Sequence, residues 1–403
     1  MKNNRKQKVL IVSQYYIPDI TAAAYRINDM YEAIKDRFEV DIVTTYPHKS
    51  NASVDAAAEQ NIYRVNITNS SKNRVFRYLG EYFGFMFQSI FLSKKLQKRY
   101  DFVFVTSPPI FVLISGYVLS KLKKSKLIVD IRDIWPDVLL DDGTLTEDHF
   151  AFKTLKKFEV FIYKKADRLS CVSKYMQKYI ESLSGKKVSV IYNGVSQDKP
   201  DHSKEQVRQE LKRTRLNILY IGNVGFYQYL DVLVLCFQRY PYLSDLFHVH
   251  IIGNGAELAK LRKLTDSSKI DAIRFYGSVN KEETNKMVKA EADILFLNLY
   301  YSKTLEKTIP SKLFDYLYFN LPIVYGILGE GKEIIEDLKC GFFFQWDSEE
   351  SLHNALIDIY KHYNDYFEKA KNNSGYVCSR FNRKEMFLNY WNALQGEFGC
   401  SYD

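Results

Sequence analysis

The run Ile309-Pro310-Ser311-Lys312-Leu313-Phe314-Asp315-Tyr316-Leu317-Tyr318-Phe319-Asn320-Leu321-Pro322-Ile323-Val324 follows an uncharged strand, Ile294-Leu295-Phe296-Leu297, and decides how the chain is read. Pro310 suits the first turn of a helix, where a missing N–H costs nothing. Leu313, Phe314, Leu317 and Leu321 recur at helical spacing and predict one buried face. Asn320 closes the helix, and Pro322 prevents its continuation before Ile323-Val324 starts another strand. The unit is strand, loop, helix, strand, with Ser311 and Lys312 at the helix N-terminus. That end carries unpaired N–H groups and a partial positive charge, and it favours anions. A lysine there suggests a phosphate or diphosphate ligand. The same residues also describe an ordinary capped helix in an α/β domain.

Working upstream, the rhythm repeats. Leu216–Gly222 predicts a strand that runs into Asn223-Val224-Gly225-Phe226-Tyr227-Gln228. Val249–Gly255 and Ile273–Val279 predict two more, each ending in a glycine turn. Gly222 and Gly225 allow close backbone approach to a phosphate, although two glycines alone are weak evidence. Several small loops converging with Lys312 on one sheet edge carry more weight.

The first half opens in the same way. Lys8–Ser13 predicts a buried parallel strand, followed by the loop Gln14–Ala24, a helix bearing Ile27, Met30, Tyr31 and Ile34, and the strand Val40–Thr44. Gly-x-Gly-x-x-Gly is absent, so no dinucleotide fingerprint is present. Arg26 meets an anion or is a solvated charge. Lys126–Asp137 is a strand entering a loop with Asp133, Trp135 and Asp137 past its end. Ligands bind at that edge of such sheets. An aspartate there could orient a hydroxyl or act as a base, and Trp135 could stack on a sugar. The plainer alternative is an Asp–Arg pair that holds the loop. Gln197–Arg215, charged and low in apolar residues, reads as the linker, and Tyr376–Phe398 as a helix packing back across the interdomain seam.

Composition bounds the answer. The 403 residues suffice for two domains, and 46% hydrophobic content excludes a disordered chain. The five cysteines form no close pair, which argues for a reducing compartment and against a disulfide framework. No N-terminal signal peptide is read. Phe102–Ser120 is the longest uncharged run, but Pro108-Pro109 splits it into a strand and a buried helix. Residues 1–200 hold 32 of the 57 Lys and Arg but 21 of the 48 Asp and Glu, so the first half is the basic half. No nucleic-acid-binding signature accompanies that charge. Within residues 71–99, basic residues (Lys72, Arg74, Arg77, Lys94, Lys95, Lys98, Arg99) flank the aromatic centre Tyr82–Ser93. Twelve uncharged residues are too few to span a bilayer but suit the headgroup boundary of an anionic leaflet. A core helix with basic ends is the alternative.

These landmarks together resemble glycosyltransferase family 4 of the two-domain GT-B type, in a subgroup that looks like enzymes of capsule, O-antigen and exopolysaccharide assembly. The matching residues, in the family's order over nearly the whole chain, are Tyr15–Arg26, Asp133-Ile134-Trp135-Pro136, Asn193-Gly194, Tyr220–Gly225, Ile252–Gly255, Phe275-Tyr276-Gly277 and Pro310–Tyr316. The resemblance implies an α/β fold with two Rossmann-like doubly wound parallel-sheet domains facing a central cleft. They would occupy residues 1–200 (acceptor) and 201–375 (donor), with a C-terminal helix over 376–403.

The implied activity is retaining transfer of a sugar from a nucleotide-diphospho-sugar to a lipid-linked glycan acceptor, without cofactor or metal. The enzyme would be cytoplasmic, on the inner face of the plasma membrane. Asp133, Lys312 and Asp315 would be catalytic. The donor would meet Gly222, Asn223, Gly225, Gln228, Gly253, Asn254, Tyr276, Gly277, Ser278, Lys307, Pro310, Ser311 and Lys312. The acceptor would meet Asp19, Arg26, Ser107, Trp135 and Asp137. The chain departs from the family pattern at several points. Asp315 and Lys307 stand where two glutamates are usual, with Glu306 beside Lys307. Phe226-Tyr227-Gln228 stands where a basic residue is usual, Thr21-Ala22-Ala23-Ala24 replaces a glycine-rich loop, and Ser107-Pro108-Pro109 occupies the place of a histidine. Lys307 and Lys312 together could supply the missing cation. A nucleotide-sugar 2-epimerase of this fold and a non-catalytic partner subunit are the competing readings.

Overall fold

The computed structural model describes residues 6–47, 60–67, 74–141, 143–196 and 215–398. Lys72, Cys400 and the expected linker, apart from Arg215, lie outside the described residues. The chain divides into two compact units, residues 1–196 with 383–403, and 197–382.

In the first unit the strands are β1 Lys8–Val12, β2 Glu39–Thr45, β3 Ile62–Val65, β4 Phe102–Ser107, β5 Lys126–Ile131, β6 Arg168–Cys171 and β7 Val188–Val190. They form one sheet in the order β3-β2-β1-β4-β5-β6-β7. In the second unit β8 Leu216–Ile221, β9 Phe247–Ile252, β10 Ile273–Gly277, β11 Ile294–Asn298, β12 Ile323–Gly326 and β13 Gly341–Phe343 form another, in the order β10-β9-β8-β11-β12-β13. Every pairing is parallel. Parallel neighbours need a crossover, and the helices that supply it bury both faces of the sheet. That is why the inner strands read as continuous apolar runs, such as Val9–Val12 and Ile294–Leu297, which are 2% exposed or less. The edge strands β3 and β13 escape the sequence reading. Both are half-buried and short: β3 carries Arg64 in its middle, and β13 has only three residues.

Phe102–Ser120 divides as expected, into β4 and the first nine residues of the helix Val112–Lys123. Among the described residues no helix is long and apolar enough to cross a membrane. The described cysteines are buried and free.

The single helix expected from residue 376 is two. Asn373–Arg380 stays with the second unit, and Arg383–Phe398 belongs to the first. Between them, Phe381 and Asn382 leave the helical path, and Arg383 ties the chain to the first unit. Its guanidinium pairs with Asp29 at 2.7 Å and donates to the Gly194 carbonyl at 2.9 Å and to the Asn193 carbonyl. Trp391 follows as the largest fully buried side chain, edge-on to Phe38 and Phe102 at 5.2 and 5.5 Å. The last helix thus completes the core on one face of the first sheet, with Ile27, Met30 and Ile34 of the helix Ala22–Ile34. Replacing Trp391 by alanine should cost the first unit about 3–5 kcal/mol. The measurement is a fall in its urea-unfolding midpoint, whereas a helix merely resting on the unit would change it little.

Candidate active site

In open parallel sheets a crevice forms at the carboxyl ends of the strands where the strand order reverses. In the second unit this point lies between β8 and β11. There the loops after β8, β9 and β10 are laced together by backbone alone. Gly222 N–H donates to the Ile252 carbonyl and Val224 N–H to the Asn254 carbonyl, both at 2.9 Å, and Gly253 N–H to the Gly277 carbonyl at 2.8 Å. A Cβ on Gly253 would stand 1.8 Å from the Gly222 oxygen. Gly222 and Gly253 also hold φ values of +136° and +148°, a region that side chains strain. Gln228 Oε1 accepts from Gly225 N–H and Asn223 Nδ2, both at 3.1 Å. Its carbonyl, expected against the donor, closes the glycine loop on itself. Asn254 is exposed beside these glycines.

Lys312 arrives at this corner. Its Nζ donates to Tyr220 Oη at 2.7 Å and lies 4.2 Å from the centre of the Tyr220 ring. Tyr220 Oη donates on to the Asn223 carbonyl. The residue as a whole is half-buried, and burial of its amine pushes the pKa down to about 7. Tyr316 Oη accepts from Ile221 N–H at 2.9 Å and fixes the lysine's helix to the end of β8.

That helix is shorter than expected, Lys312–Tyr318, and Pro310 and Ser311 precede it. The Ser311 side chain makes no capping bond, and Asn320 turns the chain away at φ +57°. Two turns carry little macrodipole, so positive charge reaches this edge through the Lys312 side chain. Asp315 is exposed on the helix. Lys307 sits in a short 3-10 turn, Leu305–Lys307, and its amine reaches back to the Lys303 carbonyl. Nearby, Tyr300, Tyr301, Glu306, Thr308 and Trp346 line a small recess of about 20 Å³. At the edge of the sheet Tyr276 and Ser278 are exposed and Gly277 holds φ +72°. Tyr276 Oη lies 2.7 Å from His250 Nδ1, whose ring burial keeps toward its neutral form.

Sequence reasoning missed Tyr220 and Tyr316. A signal for Tyr316 was available, since it stands four residues after Lys312 and shares its helix face. Tyr220 opens the matching run Tyr220–Gly225, but nothing in the sequence marks its hydroxyl as a partner for Lys312.

In the first unit several residues expected at the acceptor are engaged by other side chains or buried. Arg26 is fully buried. Its Nε and Nη2 donate to the two Asp130 oxygens at 3.0 and 2.8 Å, and Nη1 donates to the Tyr192 carbonyl. Thr106 and Ser170 also donate to Asp130. Such an ion pair is tolerable in the interior because every charge is matched, and it leaves Arg26 no free face for a ligand. Asp137 is likewise engaged, accepting from Lys156 Nζ and Tyr179 Oη, both at 2.6 Å. Lys156 also pairs with Glu159, whose carboxyl burial pushes up to about 7. Trp135 packs against the unit's core. Asp19 and Ser107 are buried, at 1% and 2% exposed. Asp133 alone of these is exposed, yet protein crowds its carboxyl enough to push its pKa up against the pull of Arg132. The sequence Thr21–Ala24, expected as the counterpart of a glycine loop, is a helix start, with Thr21 Oγ1 accepting from Ala24 N–H. The segment Arg74–Lys95 is one helix. It buries Phe85, Met86, Ser89 and Ser93 and exposes Phe83, Phe87 and Phe91, four residues apart, by 40%, 65% and 62%. Lys94 and Lys95 continue that exposed side, and Lys95 Nζ sits 4.4 Å from the Phe91 ring. Lys98 is bound to Asp41 at 3.0 Å. Among the described residues no group of three or more His, Cys, Asp and Glu could hold a metal ion.

Residues 201–374 match the model for glycosyl transferases group 1, and residues 23–199 match that for glycosyltransferase family 4. MJ1069, an uncharacterized glycosyltransferase of Methanocaldococcus jannaschii, is 23% identical over 96% of this chain and 97% of its own length. Among solved structures, Anabaena HepE in complex with UDP-glucose superposes with a TM-score of 0.70 at 14% identity, over 96% of this chain and 99% of that one. WaaG, a glycosyltransferase involved in lipopolysaccharide biosynthesis, does so with a TM-score of 0.69 at 13% identity, over 96% and 100%.

The low pKa of Lys312 makes anion binding here pH-dependent. A diphosphate diester keeps its charge near neutrality, but it would raise the amine pKa above the free value of about 7. Below that value the amine is charged in both states. Above it, binding must take up a proton, and affinity falls as pH rises. Titration calorimetry with a diphosphate diester as the anion should show affinity declining between pH 7 and 9, with proton uptake visible as a dependence on buffer ionisation enthalpy. A pH-independent affinity would place Lys312 away from the diphosphate.

Proposed function

We propose that this chain, a glycosyltransferase of family 4 with the GT-B architecture, moves a sugar from a nucleotide-diphospho-sugar to a lipid-linked glycan in surface-polysaccharide assembly. The observation that carries the donor half of this reading is the corner at β8, where Lys312 meets the glycine loop. The chemistry required there is modest. Glycosyl transfer from such a donor needs the two substrates positioned and the leaving diphosphate stabilised. Lys312 offers a cation, and Gly222–Gly225 offers backbone that a phosphate can approach. We take these groups to meet the diphosphate without a metal ion. Tyr276–Val279 would lie near the base, where Tyr276 and Ser278 are exposed at the edge of the sheet. Retention at the anomeric carbon belongs to the same proposal. On the acceptor side, Asp133, exposed past the end of β5, would orient a hydroxyl.

The acceptor lipid would be met by the basic first unit at the cytoplasmic face of the membrane. Phe83, Phe87 and Phe91 form an exposed aromatic stripe ending in Lys94 and Lys95. Apolar side chains beside cations suit an interfacial helix on anionic lipid. HepE is described in complex with UDP-glucose and WaaG as involved in lipopolysaccharide biosynthesis, and both descriptions are compatible with this reading.

Two outcomes are expected. A panel of nucleotide-sugars, screened with EDTA present, should contain one that raises the melting temperature, because a ligand of the native state alone must stabilise it. Lys312→Ala should remove that shift, whereas its persistence in the variant would move the donor elsewhere. Changing Phe83, Phe87 and Phe91 to serine should at least halve sedimentation with anionic vesicles while leaving the nucleotide-sugar shift in place. Undiminished sedimentation would remove this helix as the contact.

A further inference from the structure

We propose that Tyr220 is a positioning residue that holds Lys312 in wait for the donor diphosphate and couples its departure to the glycine loop. The inference rests on the reading of Lys312 as a diphosphate contact and adds to it a residue that touches no substrate.

The direction of the hydrogen bonds is determined by chemistry. Tyr220 Oη has one proton, and the Asn223 carbonyl takes it. The hydroxyl therefore meets Lys312 with a lone pair, and the lysine donates at 2.7 Å. A tyrosine so placed favours the ammonium over the free amine, and its ring at 4.2 Å acts in the same sense. These two contacts oppose the burial that otherwise drives the charge off.

Two further observations show a built site. Tyr220 is fully buried and keeps its hydroxyl, although phenylalanine would fill the same core space. Gly222 is the residue that leaves room for the amine, since a Cβ there would lie 2.9 Å from Lys312 Nζ. The titratable groups packed at this corner are Tyr220 from β8 and Tyr316 from the lysine's own helix, both with phenol pKa values raised by burial. Asp315, next along that helix, is exposed. When the lysine leaves for an anion, Tyr220 loses its donor while still bound to the Asn223 carbonyl. Loop and lysine thus respond to one ligand through one hydroxyl.

The test reads the amine directly, in the full chain and without ligand. Labelling of Lys312 by dinitrofluorobenzene is followed against pH by peptide mass spectrometry. In the parent protein half-maximal reactivity should fall near pH 7. Tyr220→Phe removes the accepting hydroxyl and should move that midpoint down by about one unit, the worth of one hydrogen bond to a charged group. Gly222→Ala should act oppositely, expelling the amine into water and raising the midpoint toward the ordinary lysine value of about 10.4. Midpoints unchanged in Tyr220→Phe, or in Gly222→Ala should the first variant fail to fold, would overturn the proposal. Protection of Lys312 from labelling by UDP-glucose and the other nucleotide-sugars, measured in the parent protein, tests the diphosphate reading separately. Loss of protection with the midpoint shifts intact would sink that reading and leave Tyr220 as the residue that holds the amine.

Discussion

The site depends on one steric constraint. Backbone approaches backbone so closely at the carboxyl end of the second sheet that side chains cannot stand between them. The Gly222 oxygen occupies the space a Gly253 side chain would need, and the Val224 oxygen that of Gly255. Removing the side chains lets the loops after β8, β9 and β10 bond to one another instead of to water. The result is a firm floor of peptide groups at the switch point, onto which the helix beginning at Lys312 is pinned through Tyr316. A site held by backbone is held by what mutation alters least.

Charge is handled differently in the two units. In the first, Arg26 with Asp130, and Lys156 with Asp137 and Glu159, are matched pairs and clusters that join strands, loops and helices. They account for residues that, from sequence, compete well as ligands of the acceptor. In the second, Lys312 is held by a neutral phenol, and its pKa of about 7 records the lack of a compensating carboxylate. A cation buried without an acid beside it is costly to maintain. That cost is the physical argument for reading Lys312 as a functional group, and no comparable argument applies to Arg26.

The helix Arg74–Lys95 satisfies both readings of its sequence at once. Phe85 and Met86 make it a core helix, while Phe83, Phe87 and Phe91 leave an aromatic stripe outside. An apolar face exposed at regular spacing and ending in lysines calls for a covering, and the proposed covering is anionic lipid.

Much of this was legible from sequence because its cause is local. Apolar strands alternating with helices of matching period dictate parallel sheets, and glycine at Gly222 and Gly225 announces close backbone approach. The ordered motifs from Tyr15 to Tyr316 pointed to glycosyltransferases, and each half matches a glycosyltransferase model of its own. What tertiary structure decided were the partnerships of polar side chains. Whether Arg26 faces a ligand or Asp130, whether Asp137 is free or bound by Lys156, and that Tyr220 lies under Lys312, all depend on groups 19 to 104 residues apart in sequence. No periodicity encodes such pairs. They form when the sheet brings distant strand ends to one edge, and desolvation there requires each charge to find a partner or do without one.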